Sequence, residues 1–355
     1  RIEACRVFVG TTSTMQSRSN IFALKHFNLA VIDEASQILE PNIVGLLSAN
    51  TPQPLALRLG LNAANDNVPA IDKFVLIGDH KQLPAVVQQN ATQAAVNHPL
   101  LNAIGITDCR QSLFERLIHW ERSQGRTRFI GTLNRQGRMH PHIARFPNDM
   151  FYTHEQIDVV PCAHQEEQQL HYNLPAQDEL DNQLKAHRLL FFAAENNENE
   201  GASDKANPAE ARIVARILGR IHRFYAQDFD ANRTVGVIVP YRNQIAMIRR
   251  ELAKLGIAEL DNITIDTVER YQGSQRDVII YSFTIVHRYQ LDFLTANCFE
   301  ENGKIIDRKL NVALTRARKQ MIITGHMPTL CFNRTFKALI DHVRENGLVV
   351  EEQGA

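Results

Sequence analysis

Net charge is missing from this 355-residue sequence, in which 39 lysines and arginines balance 39 aspartates and glutamates. Proteins that hold nucleic acid by bulk charge carry a basic excess, so any such site here is local. Cysteine is scarce: five residues, odd in number, widely spaced and never in CxxC. That excludes a disulfide framework and a cysteine-based zinc site, and it points to a reducing, cytoplasmic setting. No apolar run approaches the ~20 residues of a membrane span, so no membrane partner is expected. The opening residues, RIEACRVFVG, lack the charged, apolar and small-residue order of a signal peptide. They begin on Arg1 and almost at once enter the strand-like run 7–9, which reads as the downstream part of something longer. Internal repeats and low-complexity tracts are also missing.

What is present is an ordinary globular composition, 44% hydrophobic and 22% charged, in a length that suits two domains. Strand-like runs at residues 7–9, 29–32, 74–77, 128–131, 189–192, 235–239, 278–283 and 321–324 alternate with helical patterns, as in βα units. Ser112 and Glu115 have capping-box spacing before an apolar face at Leu113, Leu117 and Trp120. Asn207 caps and Pro208 opens a helix striped by Ile213, Val214, Ile217, Leu218 and Ile221. Ile245, Ile248, Leu252 and Leu255 repeat the pattern, as do Phe336, Leu339, Ile340 and Val343 near the end. Three stretches break the rhythm: an insertion loop at 47–72, a polar segment at 154–181, and an acidic mobile loop at 195–205. The expected boundary lies at 131–137, which gives domains 1–131 and 132–347 and a tail at 348–355.

The run LAVIDEASQ (29–37) ends in adjacent carboxylates, Asp33 and Glu34. An apolar run without alternation predicts a strand buried on both faces, and parallel sheets bind ligands beyond the carboxyl ends of their strands. Two acids there suit a cation or a water held against a phosphate, although a solvated strand end explains them equally well. Gln82, in the turn after the run FVLIG, can donate to or accept from a phosphate oxygen or an attacking water. Arg138, in NRQGRMHP, has the fork that neutralises a transferring phosphoryl group. Tyr241 and Arg242 stand where a strand ends and a helix opens, a place where backbone NH groups meet anions. Gln272 and Gly273 form a tight turn inside TVERYQGSQRD, and Arg316 and Arg318 close the helical segment KLNVALTRAR.

In this order, VIDEASQ, GDHKQLP, QGRMHP, VIVPYRNQ, TVERYQGSQRDVII and LNVALTRAR resemble motifs II, III, the QYRMHP element, IV, V and VI of superfamily 1 helicases. The branch is that of the up-frameshift and replication helicase-nuclease proteins, whose motors are AAA-type. The resemblance runs from about residue 7 to 325. It implies an α/β fold of two RecA-like domains with mostly parallel sheets, the first incomplete at its N-terminus. ATP and Mg²⁺ would lie in the cleft between them and single-stranded DNA or RNA across the top. Asp33 would hold the magnesium and Glu34 would orient or deprotonate the water. Gln82 would sense the terminal phosphate, Arg138 and Arg316 would act as fingers, and Gly273 and Gln275 would flank the nucleotide. Thr12, Tyr241, Arg242, Thr267 and Gln272 would meet the nucleic acid.

The sequence departs from the family pattern in four ways. No GxxxxGK[ST] occurs, and the sole Gly-Lys pair is Gly303 and Lys304. The phosphate loop is therefore expected upstream in the same parent chain or on a partner chain. Gly137 replaces a base-stacking tyrosine, Gln275 replaces a ribose-binding glutamate, and Ala85 replaces a second proline. The expected function is the motor portion of an ATP-dependent helicase or translocase, inactive as this chain alone. A non-catalytic nucleic-acid-binding or interaction module derived from such a helicase is the alternative.

Overall fold

The computed structural model describes residues 2, 4–61, 68–170, 172, 174–195, 203–285 and 287–351. The chain separates into two compact units, Arg1–Gly131 and Thr132–Ala355. Both are α/β with parallel strands.

In the second unit six parallel strands form one sheet: β3 (Leu189–Ala193), β4 (Val235–Val239), β5 (Thr264–Thr267), β6 (Arg276–Ser282), β7 (Ala317–Gly325) and β8 (Leu348–Val350). Their order is β8-β3-β7-β6-β4-β5. All five residues of β4 are buried, because helices cover both faces. Val235, Val237, Val278, Ile280 and Ile322 pack with Ile213, Ile217 and Ile221 of the helix Pro208–Tyr225. That helix starts as its sequence dictates: the Asn207 side chain accepts from the Glu210 amide, and proline opens the first turn. Residues 348–350, expected as the start of a tail, instead pair with β3; LVV is apolar enough to cover an otherwise open edge. The remainder of that tail, 352–355, lies outside the described residues.

The first unit is thinner. Its parallel pair is β1 (Ala30–Ile32) and β2 (Phe74–Leu76). Ile32 and Leu76 pack with Ile43 and Leu113, from the helices Glu40–Leu47 and Leu113–Ser123. Ser112 caps the latter through the Glu115 amide. The expectation that β1 is buried on both faces is overturned. Val31 is 58% exposed and Val75 45%, because helices cover only one side of this pair. Residues 7–9 and 128–131 are not strands either. Val9 is 94% and Phe129 69% exposed; neither run has a ladder partner among the described residues, and apolar content without a partner leaves the chain extended or turned. The insertion 47–72 is partly ordered, with a helix at Gln53–Arg58 and a short antiparallel pair, Asn50–Thr51 with Val68–Pro69. Residues 62–67 of that insertion and 196–202 of the acidic loop lie outside the described residues.

Candidate nucleotide and nucleic-acid sites

In the first unit Asp33 and Glu34 leave the carboxyl end of β1 as exposed residues. Glu34 sits at φ 51, in the left-handed region, and its amide donates to Asp33 Oδ1 at 2.9 Å. A non-glycine residue there is strained, and it puts the second acid in a turn directly after the first. Gln37 Nε2 donates to Glu34 Oε2 at 2.5 Å. The neighbouring turn after β2 is locked to this one. The Asp79 amide donates to Ser36 Oγ at 3.2 Å, while the Asp79 carboxylate accepts from Gln82 Nε2 at 2.9 Å and from the Lys81 amide at 2.9 Å. Gly78 permits this approach, since a Cβ there would lie 2.9 Å from the Ser36 nitrogen. The turn that follows Asp33 and Glu34 and the turn that holds Gln82 are therefore joined through Ser36 and Asp79. Sequence reading passed over both linkers, because a serine and an aspartate in turns carry no distinguishing pattern. Thr12 opens the short helix Thr12–Ser17, behind a Thr11 cap, in the same unit.

The second unit gathers the arginines. Arg138 Nε donates to Gln275 Oε1 at 3.0 Å, and one of its terminal nitrogens donates to the Thr315 carbonyl at 3.2 Å. Arg316 is 2% exposed. Its Nε donates to the Val312 carbonyl at 3.1 Å, and its terminal nitrogens reach Thr315 Oγ1 at 3.3 Å and the Ser274 carbonyl at 3.5 Å. Two guanidinium groups thus meet around Thr315. Opposite them is the turn at Gly273, whose φ of 79 requires glycine, with nothing crowding its Cβ position. The helix Arg308–Leu314 ends before both Arg316 and Arg318, and Arg318 lies inside β7. There it pairs with Asp277 at 2.7 Å, so the helix dipole does not explain either arginine. Beside Gly137, where a tyrosine was expected from the family pattern, Cys162 Sγ would lie 3.3 Å from an added Cβ.

A cavity of about 570 Å³ lies beyond the ends of β4 and β5, lined among others by Tyr241, Arg242, Thr267, Tyr289 and Phe293. Gln272 lies outside that lining, in the half-buried turn before β6. Tyr241 is buried against Phe293, their rings stacked at 4.9 Å and 21°. Burial pushes its phenol above the ordinary value. Arg242 is exposed at the start of the helix Arg242–Ala253. Sequence reading found Tyr241, Arg242 and Thr267 but missed Tyr289 and Phe293, whose spacing in a short loop helix resembles any surface turn.

Residues 109–328 match one AAA domain family and residues 2–90 a second. The chain belongs to the AAA-domain helicases of superfamily 1. It is 27% identical over 332 residues to a "Regulator of nonsense transcripts 1 homolog" of Neurospora crassa, covering 92% of this chain and 25% of that protein. It is 27% identical over 349 residues to "Helicase sen1" of Schizosaccharomyces pombe, covering 97% of this chain and 17% of that protein. A "DNA replication ATP-dependent helicase/nuclease DNA2" of Xenopus laevis is 28% identical over 349 residues, with 91% and 27% covered. This chain therefore spans about a quarter or less of the length of these curated relatives. Among solved structures, the PRRSV helicase is a weak likeness, with TM-score 0.32, 12% identity, and 84% of this chain and 34% of that chain covered. No helix among the described residues is long and apolar enough to cross a membrane.

Proposed function

We propose that these residues are the motor portion of an ATP-dependent nucleic-acid helicase or translocase. The observation that carries this reading lies in the first unit, where the turn that follows two exposed carboxylates is bonded through Ser36 and Asp79 to the turn that holds Gln82. A binding module has no use for a strained turn that presents a second acid beside the first.

The donor set fits the expected group. Asp33 offers an exposed carboxylate oxygen of the kind a hard divalent cation takes. Magnesium bound there would neutralise phosphate charge. Glu34 orients or deprotonates water, and Gln82, held by Asp79, reports on the phosphate next to it. Arg138 and Arg316 neutralise charge on the transferring group. Arg316 is buried on backbone oxygens, so its contribution requires its guanidinium to leave the Val312 and Ser274 carbonyls. Single-stranded DNA or RNA meets Tyr241, Arg242, Thr267 and Gln272 in the second unit and Thr12 in the first.

No glycine-lysine phosphate loop occurs in the sequence, so ATP turnover by this chain alone is expected to equal that of its Glu34→Gln variant. With a phosphate-loop segment supplied, on the same chain or by a partner, turnover stimulated by single strands is expected, and Glu34→Gln abolishes it. Turnover by the isolated chain above the Glu34→Gln control refutes its dependence on a supplied loop. Absence of stimulated turnover in the completed protein refutes the motor reading and favours the non-catalytic binding module.

A further inference from the structure

Strand β6 leaves the sheet through Thr284, at φ 55, a costly conformation for a β-branched residue. The carboxylate of Glu210 holds it there, accepting from the Thr284 amide at 2.9 Å and from Ser282 Oγ at 2.6 Å. The chain then makes two single-turn helices, Arg288–Gln290 and Leu291–Leu294. Leu291 and Leu294 are buried and anchor this segment, whereas Tyr289, four residues before Phe293, is 61% exposed. Tyr289 is not loose. His287 stacks on its ring at 5.4 Å and 16°, and its hydroxyl donates to Asp204 Oδ2 at 2.6 Å. Phe293 is committed differently, between the Tyr241 ring and the Lys309 ammonium 4.0 Å from its centroid. Tyr289 is thus a fixed, largely exposed aromatic surface on the wall of the 570 Å³ cavity.

The charges around that cavity say what fits the ring. Lys205 and Arg242 are matched by Asp204 and Glu269, so the pocket has no excess of positive charge for a phosphate. The carboxylate nearest the tyrosine repels one. A flat, neutral, polar group suits this surface, whereas exposed Arg242 is placed to take the negative backbone.

We propose that Tyr289 is a stacking platform for a nucleobase of the bound single strand. This rests on the nucleic-acid reading above and adds to it the residue that takes a base. Stacking on an aromatic side chain is sequence-tolerant, because every base offers a π-face.

The test is fluorescence anisotropy of labelled single-stranded DNA and RNA homopolymers with this 355-residue chain. Tyr289→Ala is expected to weaken binding by about tenfold, while Tyr289→Phe and Tyr289→Trp stay within about twofold of wild type. A strand with abasic sites should lose a similar factor against wild type and little against Tyr289→Ala. Because Tyr289 is exposed, unchanged melting curves confirm that the variants fold. Equal affinity of wild type and Tyr289→Ala overturns this inference while leaving the helicase reading intact. A Tyr289→Phe variant as weak as Tyr289→Ala overturns it too, because the hydroxyl contact with Asp204 would then be what matters. No binding of any strand by wild type overturns both.

Discussion

Glu210 gives the most quantitative expectation. It is fully buried in the first turn of its helix, with Oε2 bonded to Ser282 and Thr284 and Oε1 lacking a hydrogen bond. Burial pushes its carboxyl up from the ordinary 4.5 to about 8, against the pull of those two donors and of the Ile285 amide. The sign follows from the two states. Below pH 4.5 both folded and unfolded chains hold the proton. Between 4.5 and 8 the unfolded chain ionises while the folded one does not, so stability falls as pH rises. Each pH unit of that interval is worth ~1.4 kcal/mol, so the full interval withdraws on the order of 5 kcal/mol. Two other buried groups titrate lower and in opposite senses. Asp307 is raised to about 6 and loses stability with rising pH, while His140 is lowered to about 4 and gains it, burial being the first cause for both. From pH 6.5 to 8 Glu210 withdraws about 1.5 kcal/mol, opposed in the lower part of that window by His140, His326 and His342, whose imidazoles burial holds below the ordinary value. Urea unfolding followed by circular dichroism at half-unit pH steps measures it. Glu210→Gln, which keeps an oxygen for both donors but cannot ionise, should remove the slope and exceed wild type in stability at pH 8. A wild-type profile flat over this window, or a slope that survives in Glu210→Gln, sinks the argument.

Other expectations follow from single contacts. Gly78→Ala should destabilise the first unit by about 1–3 kcal/mol in thermal unfolding, because its Cβ would press on the Ser36 backbone 2.9 Å away. A loss below ~0.5 kcal/mol would show that the two turns are not locked. In the protein completed with a phosphate loop, Arg316→Ala should lower steady-state ATP turnover by ~10³-fold with folding retained; a loss of only a few-fold rules out the finger role. Val31→Thr in this chain should change stability by less than ~0.5 kcal/mol, since the side chain already faces water, and a larger loss would mean that the open face is covered in solution.

Much of the second unit was legible because its strands are covered on both faces. Runs such as VGVIV have no polar alternation to confuse, and the Asn207–Pro208 cap marks its helix by chemistry alone. The first unit was read less well. LAVI and VFV look alike in sequence, yet one pairs with β2 while the other stays unpaired and exposed. Hydrophobic content records what can be buried and not what is at hand to bury it.

The sites divide in the same way. The order and chemistry of Asp33, Glu34, Gln82, Arg138 and Arg316 stand in the linear chain, because each motif is a short run whose residues act near one another. Tertiary structure alone decided that Asp79 and Ser36 tie the Gln82 turn to the turn after the carboxylates, that Arg316 lies buried on backbone oxygens, and that Tyr289 faces a cavity beside Arg242. The contacts of Ser36 with Asp79 and of Arg316 with the Ser274 carbonyl join residues dozens of positions apart. Only the packing of the sheet sets those distances, so no local pattern could carry them.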